Sequence, residues 1–459
     1  MKRSRWGLII ILTLAVAFTG INSNVHATEP EGDAAEEETP EKKAEREAYE
    51  MPVQTNEIKN WPKGPSTYGE AGIVMDAGTG AILYAKNIDE HEYPASITKV
   101  LTALVALENG EMTDPVTFSH DCVSFLQPGD SSVGLKEGDA ITLEQALYAT
   151  LLASANEAAY AVAENVGKNA GHDYSWFLEQ MNTRCRELGG ENSNFANANG
   201  LHDPNHYTCA RDMALIGREL FKHPEFFHIV QTLNYTIPAT GTCEEHVFQQ
   251  KHKMLIPGNS NYYEYAVGGK TGYTSDALST LITMAEKDGK QLVCVVLRTH
   301  GANIYPDTRN LLDYAFDNFK KVEVDGLEKS DDVGAILDEE EGGYVMLPDG
   351  VEFKDLDMKL VPDEGAVKEA TLIYSYEGYT VGTARAKLSK AYIKEHSASI
   401  KKEASGDKKK SSGMSLKKKI FVGAAAVAGI LFLVAYIWKR IERKRRRDRK
   451  RKRRRQRRR

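Results

Sequence analysis

The chain has 459 residues, of which 41% are hydrophobic, and this length is sufficient for two or three domains. Its net charge of −6 combines a basic C-terminus with an acidic body, because residues 439–459 hold 17 Lys/Arg against two acids and residues 1–27 hold three basic residues and no acid. Residues 28–438 therefore carry a charge of −24, which argues against a globular nucleic-acid-binding domain.

The N-terminus has the features of a secretory signal peptide, which we assign to residues 1–27. A basic start precedes a mostly apolar run at residues 6–20, and Val25-His26-Ala27 fits a small-x-small cleavage site. An uncleaved membrane anchor is the alternative. Residues 28–55 are rich in Glu, Ala, Lys and Pro and cannot bury a core, so we expect a disordered acidic spacer there.

The first globular signals are two strands followed by a helix that carries a serine and a lysine. The strands, at residues 72–75 and 81–84, flank a turn at Asp76–Gly80. Ser96 and Lys99 are three residues apart and share one face of an apolar helix. A lysine in an apolar setting has a lowered pKa and, when neutral, can accept the hydroxyl proton. Taken alone, the pair favours a capped helix with a solvated lysine over a catalytic pair.

Two further motifs follow, separated by helical segments. Ser154-Ala155-Asn156 interrupts two helical runs, and Lys270-Thr271-Gly272 lies ahead of a strand-like run. We also predict a capping box at Thr142–Gln145 and helices at residues 156–166 and 174–188.

The next segment predicts a hairpin and a helix. Apolar runs at residues 278–285 and 291–297 are joined by the turn-forming residues 286–290, and residues 306–320 have helical spacing of their apolar side chains. Strands at both ends of this region, with helices between them, predict an antiparallel sheet that is closed by the first and last segments.

The C-terminal part changes character. Short strand-like pieces alternate with turns over residues 321–395 and predict a small all-β domain, and a Lys/Ser-rich linker follows at residues 396–419. Residues 420–438 are uncharged and span roughly 28 Å as a helix, so we predict a transmembrane helix rather than a soluble core helix. The basic tail, residues 439–459, is then cytoplasmic; an RNA-binding arm is the alternative.

The cysteines and histidines give no metal signal. The five cysteines lack a paired Cys-x-x-Cys spacing, and we assign no disulfide among them. His202 and His206 have a ligand-like spacing without a suitable carboxylate motif, so we interpret them as loop histidines. We therefore expect no metal and no cofactor.

The three motifs occur together and in the order that is typical of penicillin-binding proteins and serine β-lactamases: Ser-x-x-Lys, Ser-x-Asn and Lys-Thr-Gly. With them, and with matching stretches at residues 75–85 and 199–214, the chain resembles the serine-type D-alanyl-D-alanine carboxypeptidases, the penicillin-binding proteins of low molecular mass. The resemblance covers roughly residues 60 to 395. It implies an α+β fold of the β-lactamase/DD-peptidase type over residues 56–320, with an antiparallel sheet, helices on both faces and a helical lobe, followed by the small all-β domain.

The resemblance also implies roles for the residues of the first two motifs. Ser96 is the nucleophile that carries the acyl-ester, and Lys99 is its general base. Ser154 relays a proton toward the leaving amine, and Asn156 holds the substrate amide or Lys99. Capping of the loop between two helices is the alternative for Ser154 and Asn156.

The third motif is expected to bind the substrate. Lys270 and Thr271 receive its terminal carboxylate, and Gly272 leaves room for an extended peptide along the strand edge. By resemblance, the backbone N–H groups of Ser96 and Tyr273 form the oxyanion hole.

Arginines near the end of this region are candidates for a supporting role. Arg298 or Arg309 assists the substrate carboxylate, and the residues alone do not choose between them. Arg211, in the middle of the domain, is expected to belong to the fold rather than to the site.

Three functions compete at this point. The first is a cell-wall carboxypeptidase that trims D-alanine from peptidoglycan stem peptides ending in D-Ala-D-Ala, with β-lactams as inhibitors and an extracytoplasmic, membrane-anchored location. The second is a β-lactamase, which the lack of a Glu-x-x-x-Asn motif between Asn156 and Lys270 disfavours. The third is a non-catalytic penicillin-binding sensor or scaffold, which the three intact motifs disfavour.

Overall fold

A computed structural model of the chain describes residues 38–337, 343–363 and 368–396. The predicted signal peptide, the linker beyond residue 396, the membrane span and the basic tail lie outside these residues. Within the described ranges, no helix has the length and hydrophobicity needed to cross a bilayer.

The helices, in chain order, are α1 Pro40–Glu50, α2 Thr98–Asn109, α3 His120–Ser124, α4 Leu143–Leu151, α5 Asn156–Asn169, α6 Tyr174–Glu187, α7 Ala210–Leu220, α8 Pro224–Val230, α9 Ile304–Asn318 and α10 Lys390–Glu395. The strands are β1 Gly69–Asp76, β2 Ile82–Lys86, β3 Pro115–Thr117, β4 Ala140–Thr142, β5 Asn234–Ile237, β6 His246–Gln249, β7 Ala266–Thr274, β8 Leu278–Lys287, β9 Lys290–Thr299, β10 Phe319–Glu323, β11 Val333–Ile336, β12 Tyr344–Pro348, β13 Asp357–Pro362, β14 Glu369–Tyr376 and β15 Tyr379–Leu388.

The main sheet has five antiparallel strands in the order β2-β1-β9-β8-β7, so the first and last segments meet as expected. Its longest hairpin, β8–β9, turns at Asp288 and Gly289, which both have positive φ angles, 52° and 69°. This Asp-Gly pair suits the type I′ turn, whose twist matches that of the flanking strands. The strand β7 forms one edge of this sheet.

Both faces of the sheet are covered by helices. Ile73 and Val295 belong to the core shared with α2 and α7, whereas the adjacent Val74 and Val296 belong to the core shared with α9. Successive strand residues point to opposite faces, so near-continuous apolar strands are buried on both sides. The predicted antiparallel sheet with helices on both faces is therefore confirmed.

A helical lobe made of α2, α4, α5 and α6 stands beside this sheet. Its helix α4 begins at the predicted capping box: the Thr142 hydroxyl accepts from the backbone N–H of Gln145, and the Gln145 side chain accepts from the N–H of Thr142. The two other predicted helices of this region correspond to α5 and α6. The first turn of α2 and the start of α5 lie where the lobe meets the sheet.

The predicted strands after residue 321 form a second antiparallel sheet, in the order β10-β12-β15-β14-β13, with β11 pairing to β15. The last residues of the predicted all-β domain are not in a strand, because Lys390–Glu395 forms a helix that Ser389 caps. The two sheets meet where the Tyr344 hydroxyl donates to both carboxylate oxygens of buried Asp76, at 2.8 and 2.9 Å. Burial raises the pKa of Asp76, whereas this hydrogen bond acts to lower it.

One predicted helix boundary and one predicted disordered segment are wrong. The helix expected at residues 306–320 runs over Ile304–Asn318, because the chain pairs as β10 from Phe319. The acidic segment expected to be disordered is helical over Pro40–Glu50 and packs on the main sheet through Ala48. The contacts that hold this helix are tertiary: Ala48 is buried, and its carbonyl accepts from the buried amine of Lys86 at 2.7 Å.

Candidate active site

The turn that carries Ser96 lies just ahead of α2 and is fixed on several sides. Residues Ala95–Ile97 form one 3-10 turn, and Ala95 has a positive φ of 50°. The Thr280 hydroxyl, from β8, donates to the carbonyl of Pro94 at 2.8 Å. A side chain at Gly200 would lie 1.9 Å from the carbonyl of Ala95, so only glycine permits this close approach.

Lys99, in the first turn of α2, is fully buried and faces Ser96. Its Nζ donates to Oγ of Ser96 at 3.0 Å, to Oδ1 of Asn156 at 2.8 Å and to the backbone carbonyl of Asn199. All three partners are uncharged. Burial, and next the charge of Lys270, hold the pKa of Lys99 well below its usual value. The lysine is therefore suited to remain neutral and to accept the serine proton.

The second motif lies between α4 and α5. Asn156 begins α5, and its N–H donates to the carbonyl of Ser131 at 2.8 Å, while its side chain holds Lys99. Ser154 is nearly buried and has a φ of 64°, a conformation that non-glycine residues adopt rarely and that clusters at functional sites. Among the described hydrogen bonds, none joins the Ser154 hydroxyl to Ser96 or Lys99.

The third motif lies on β7 at the edge of the sheet, directly beside Ser96. Lys270 is buried, and its Nζ donates to the carbonyl of Thr271 at 2.8 Å. A Cβ at Gly272 would lie 2.9 Å from the backbone nitrogen of Ser96. Thr271 is half-buried, and the side chain of Tyr273 is exposed. The sheet edge and the turn that carries Ser96 are thus in contact at Gly272.

The reason for a glycine at position 272 differs from the expected one. The sequence suggested that it clears the strand edge for a substrate, but the close neighbours of a Cβ there belong to the protein: Oγ1 of Thr280 at 2.3 Å, the Ser96 nitrogen and the carbonyl of Pro94 at 3.0 Å. The glycine therefore allows the serine turn to approach the strand.

Two further lysines, Lys270 and Lys251, bring amines to the site beside Lys99. Burial, and next the charge of Lys251, lower the pKa of Lys270 to about 7. Lys251 itself donates to the carbonyl of Ala153, next to Ser154. The nearby carboxylate of Glu157 is engaged, because its Oε1 accepts from the N–H groups of a loop at residues 133–134 and from a serine hydroxyl. Such a site favours an anionic group.

Several contributing residues were missed from the sequence. The carbonyl of Asn199 reaches Lys99, and its only sequence signal is the Asn199-Gly200-Leu201 stretch, where Gly200 has a φ of 83°. His206, interpreted as a loop histidine, is buried: its ring bonds to Thr98 at 2.8 Å and accepts from the N–H of Ala196 at 3.0 Å. Burial lowers the pKa of His206 to about 4. This histidine fixes the Asn199 loop against α2.

The structure separates the three arginines. Arg298 lies near the end of β9, at the same end of the sheet as Tyr273. Its guanidinium donates to Glu70 at 3.0 Å and to the carbonyl of Asp276 at 2.7 Å. Arg309 instead bonds to a carbonyl that precedes the start of β7. Arg211 makes a bidentate ion pair with Asp89, at 2.6 and 2.9 Å, a contact within the fold.

The sequence profile of the peptidase S11 family, D-alanyl-D-alanine carboxypeptidase, matches residues 59–301. D-alanyl-D-alanine carboxypeptidase DacF of Bacillus subtilis is 32% identical over 265 residues, which are 55% of this chain and 63% of that protein. DacA of Haemophilus influenzae is 30% identical over 267 residues, 56% of this chain and 64% of that protein. The chain thus spans slightly less than two thirds of the length of these curated relatives.

Solved structures show the same likeness. The crystal structure of the Streptomyces K15 DD-transpeptidase superposes with a TM-score of 0.51 at 28% identity, covering 56% of this chain and all of that one. The D-alanyl-D-alanine carboxypeptidase from Mycobacterium tuberculosis H37Rv gives a TM-score of 0.50 at 26% identity, covering 57% and 95%. The matched region contains Ser96, Lys99, Ser154, Asn156 and Lys270. On this evidence the chain belongs to the peptidase S11 family of D-alanyl-D-alanine carboxypeptidases.

Proposed function

We propose that the protein is a serine D-Ala-D-Ala carboxypeptidase, which removes the terminal D-alanine from peptidoglycan stem peptides through an acyl-enzyme on Ser96. One observation carries the proposal: Nζ of Lys99 is buried among uncharged partners, 3.0 Å from Oγ of Ser96. A lysine in that setting can act as a base, which a solvated surface lysine does not do at neutral pH.

The proposed acylation step uses Ser96 and Lys99 as nucleophile and base. The Ser96 hydroxyl passes its proton to Lys99 while Oγ attacks the carbonyl carbon of the peptide bond between the two D-alanines. The negative charge that develops on the carbonyl oxygen is held by the N–H groups of Ser96 and Tyr273. The C–N bond then breaks, and the amine of D-alanine leaves with the proton from Lys99, passed through the hydroxyl of Ser154. Water repeats these steps on the ester and restores Ser96.

The cations of the sheet edge supply the substrate contact. Lys270 is buried without a carboxylate among its described hydrogen-bond partners, so a substrate carboxylate would complete its site and favour its charged form. The hydroxyl of Thr271 joins it. We infer that Arg298, rather than Arg309, assists the carboxylate, and its contacts with Glu70 and the β7–β8 turn support this choice. The free edge of β7 pairs with the extended peptide.

The test combines peptide turnover with β-lactam labelling of the purified full-length chain. We expect repeated release of D-alanine from a diacyl pentapeptide analogue ending in D-Ala-D-Ala, and a long-lived penicilloyl adduct by intact mass. Ser96→Ala should abolish both, whereas Ser260→Ala, an exposed serine, should leave both unchanged. Labelling of Ser96→Ala at another serine contradicts the assignment of the nucleophile.

The same measurements separate the alternatives. A peptide acyl-enzyme loses its D-alanine and leaves room for water, whereas an opened β-lactam keeps its leaving group tethered in the site. Rapid penicillin turnover without D-alanine release identifies a β-lactamase. Stable labelling without turnover of several stem peptides identifies a penicillin-binding sensor or scaffold.

We further propose that the protein is exported and anchored by one C-terminal helix, residues 420–438, with the catalytic domain outside and the basic tail inside. The support is the uncharged run of 19 residues and the 17 Lys/Arg that follow it. In this arrangement the small β domain and the linker hold the catalytic domain away from the membrane.

Protease protection tests the topology. A tag placed after Arg459 should remain intact when protease is added to protoplasts, whereas the catalytic domain should be cut or released. Cleavage of the tag from outside contradicts the orientation, and recovery of the full-length chain in the soluble fraction contradicts the anchor.

A further inference from the structure

A cluster of three potential metal ligands lies outside the catalytic residues. The ligand atoms of Asp139, Cys243 and His246 all lie within 4.8 Å of one another. Asp139 directly precedes β4, whereas Cys243 and His246 belong to the β5–β6 hairpin, so two segments distant in the chain contribute. An ion pair between Lys136 and Glu244, at 3.0 Å, joins the same two segments.

The imidazole of His246 is oriented as in a metal-binding histidine. Its Nδ1 lies 3.0 Å from the carbonyl of Val133, and a carbonyl only accepts, so Nδ1 carries the hydrogen. The lone pair is therefore on Nε2, which is buried and has no hydrogen-bond partner among the described residues. Metal-bound histidines are commonly held in this way, with the second ring nitrogen donating to a carbonyl.

The other two residues complete a mixed ligand set. Cys243 and Asp139 are both largely buried, at 4% and 9% exposure. Asp139 is already fixed, because its Oδ2 accepts from the N–H of Lys136 at 2.7 Å. A thiolate, an imidazole and a carboxylate are the three ligand types that zinc takes, whereas magnesium and calcium prefer oxygen alone.

The distances between the three ligand atoms are close to those expected around a bound zinc ion. Ligand atoms at zinc-bond distances around a tetrahedral ion lie about 3.3–3.8 Å apart. A contraction of about 1 Å from the present limit of 4.8 Å would bring the three onto one ion. We propose that Asp139, Cys243 and His246 form a zinc site that joins the loop before β4 to the β5–β6 hairpin, with water at the fourth position.

Two alternatives are less consistent with the geometry. The three residues do not form a nucleophilic Cys–His–Asp triad, because Nδ1 of His246, which would face the carboxylate, faces a backbone carbonyl instead. A second cluster in the described residues, Glu108, Glu219 and His223, already surrounds a cation: the guanidinium of Arg184 lies 2.8 and 2.7 Å from the two carboxylates.

The zinc site would act on a loop that borders the catalytic residues. The carbonyl of Ser131 accepts from the N–H of Asn156, and the N–H groups of Val133 and Gly134 donate to Glu157. Val133 also accepts from His246. Zinc would therefore order residues 131–139 through contacts that are separate from those with α5.

The test is a zinc titration of the metal-stripped full-length chain, purified without a histidine tag. We expect one zinc equivalent whose affinity falls at least about tenfold in Cys243→Ser, His246→Ala and Asp139→Asn. The matched controls are Cys185→Ser, another buried free thiol, and His120→Ala, an exposed histidine, and both should bind as the wild type does. Circular dichroism checks folding, and Asp139→Asn retains an oxygen to accept from Lys136.

Two further readouts report the site itself. Cobalt should give a thiolate-to-cobalt charge-transfer band that disappears in Cys243→Ser and persists in Cys185→Ser. Zinc should slow hydrogen–deuterium exchange over residues 131–139 and 243–249 in the wild type and not in His246→Ala. Equal zinc affinity in the wild type and the three ligand variants, or no zinc binding by the wild type, overturns the proposal.

Discussion

The contact between the Ser96 turn and the sheet edge predicts a large effect of one methyl group at Gly272. In Gly272→Ala, the new Cβ meets the Ser96 nitrogen at 2.9 Å, the Pro94 carbonyl at 3.0 Å and Oγ1 of Thr280 at 2.3 Å, against about 3.4 Å for an ordinary contact. The Thr280 hydroxyl cannot simply rotate away without losing its hydrogen bond to Pro94. The serine turn must therefore move by about 0.5–1 Å.

A displacement of about 1 Å at a reacting group can cost about 100-fold in rate. We expect Gly272→Ala to acylate that much more slowly with a fluorescent penicillin, a loss of about 2.7 kcal/mol of transition-state stabilisation. The thermal midpoint should fall by a few degrees at most, because the strand pairing of β7 with β8 is kept.

The assay is the second-order rate constant for labelling, measured beside Gly241→Ala, whose Cβ would have no neighbour within 4 Å. Gly241→Ala should match the wild type. Labelling of Gly272→Ala within about threefold of the wild type would show that the turn adapts freely, and it would refute the reasoning. A Gly272→Ala protein that is unfolded by circular dichroism would refute it equally, since the strain is expected to be local.

Three further changes probe other contacts. Lys99→Arg should impair acylation nearly as much as Lys99→Ala, since arginine cannot deprotonate; near-normal labelling would show that charge, not basicity, matters. Burial lowers the pKa of His206 to about 4, so as the pH falls from about 6.5 to 4 this histidine is protonated in the unfolded chain but not in the folded one, and the free energy of unfolding should decrease. In His206→Ala this decrease should be smaller in urea titrations at several pH values, and an unchanged pH dependence contradicts the prediction. Tyr344→Phe should cost about 1–3 kcal/mol of unfolding free energy by leaving buried Asp76 without its phenol donor, while acylation by the remote Ser96 stays unchanged.

Much of the fold is readable in the sequence because its signals are local. The turn at Asp288-Gly289 and the capping box at Thr142 depend on residues within a few positions of each other, and the structure contains both. Given these turns and helix starts, the apolar runs between them can bury both faces of the sheet in only a few arrangements. Ser96 and Lys99 are readable for the same reason, since helical spacing places them side by side.

The parts that were missed depend on contacts between distant residues. The carbonyl of Asn199 is a backbone atom, and no side-chain identity marks it as a partner of Lys99. The function of Gly272 depends on Thr280 of the next strand, and the choice between Arg298 and Arg309 depends on which end of the sheet each residue reaches. Such information appears only when the strands are in register.

The N-terminal helix, α1, has a practical consequence for any shortened form of this protein. The family match begins at residue 59, and a fragment cut there would lack Pro40–Glu50. The amine of Lys86 would lose the Ala48 carbonyl, and the ring of Tyr68 would lose its neighbour Tyr49, 4.8 Å away. A domain boundary drawn from sequence similarity therefore removes part of the fold, and fragments intended for crystallisation or inhibitor screening should start before residue 38.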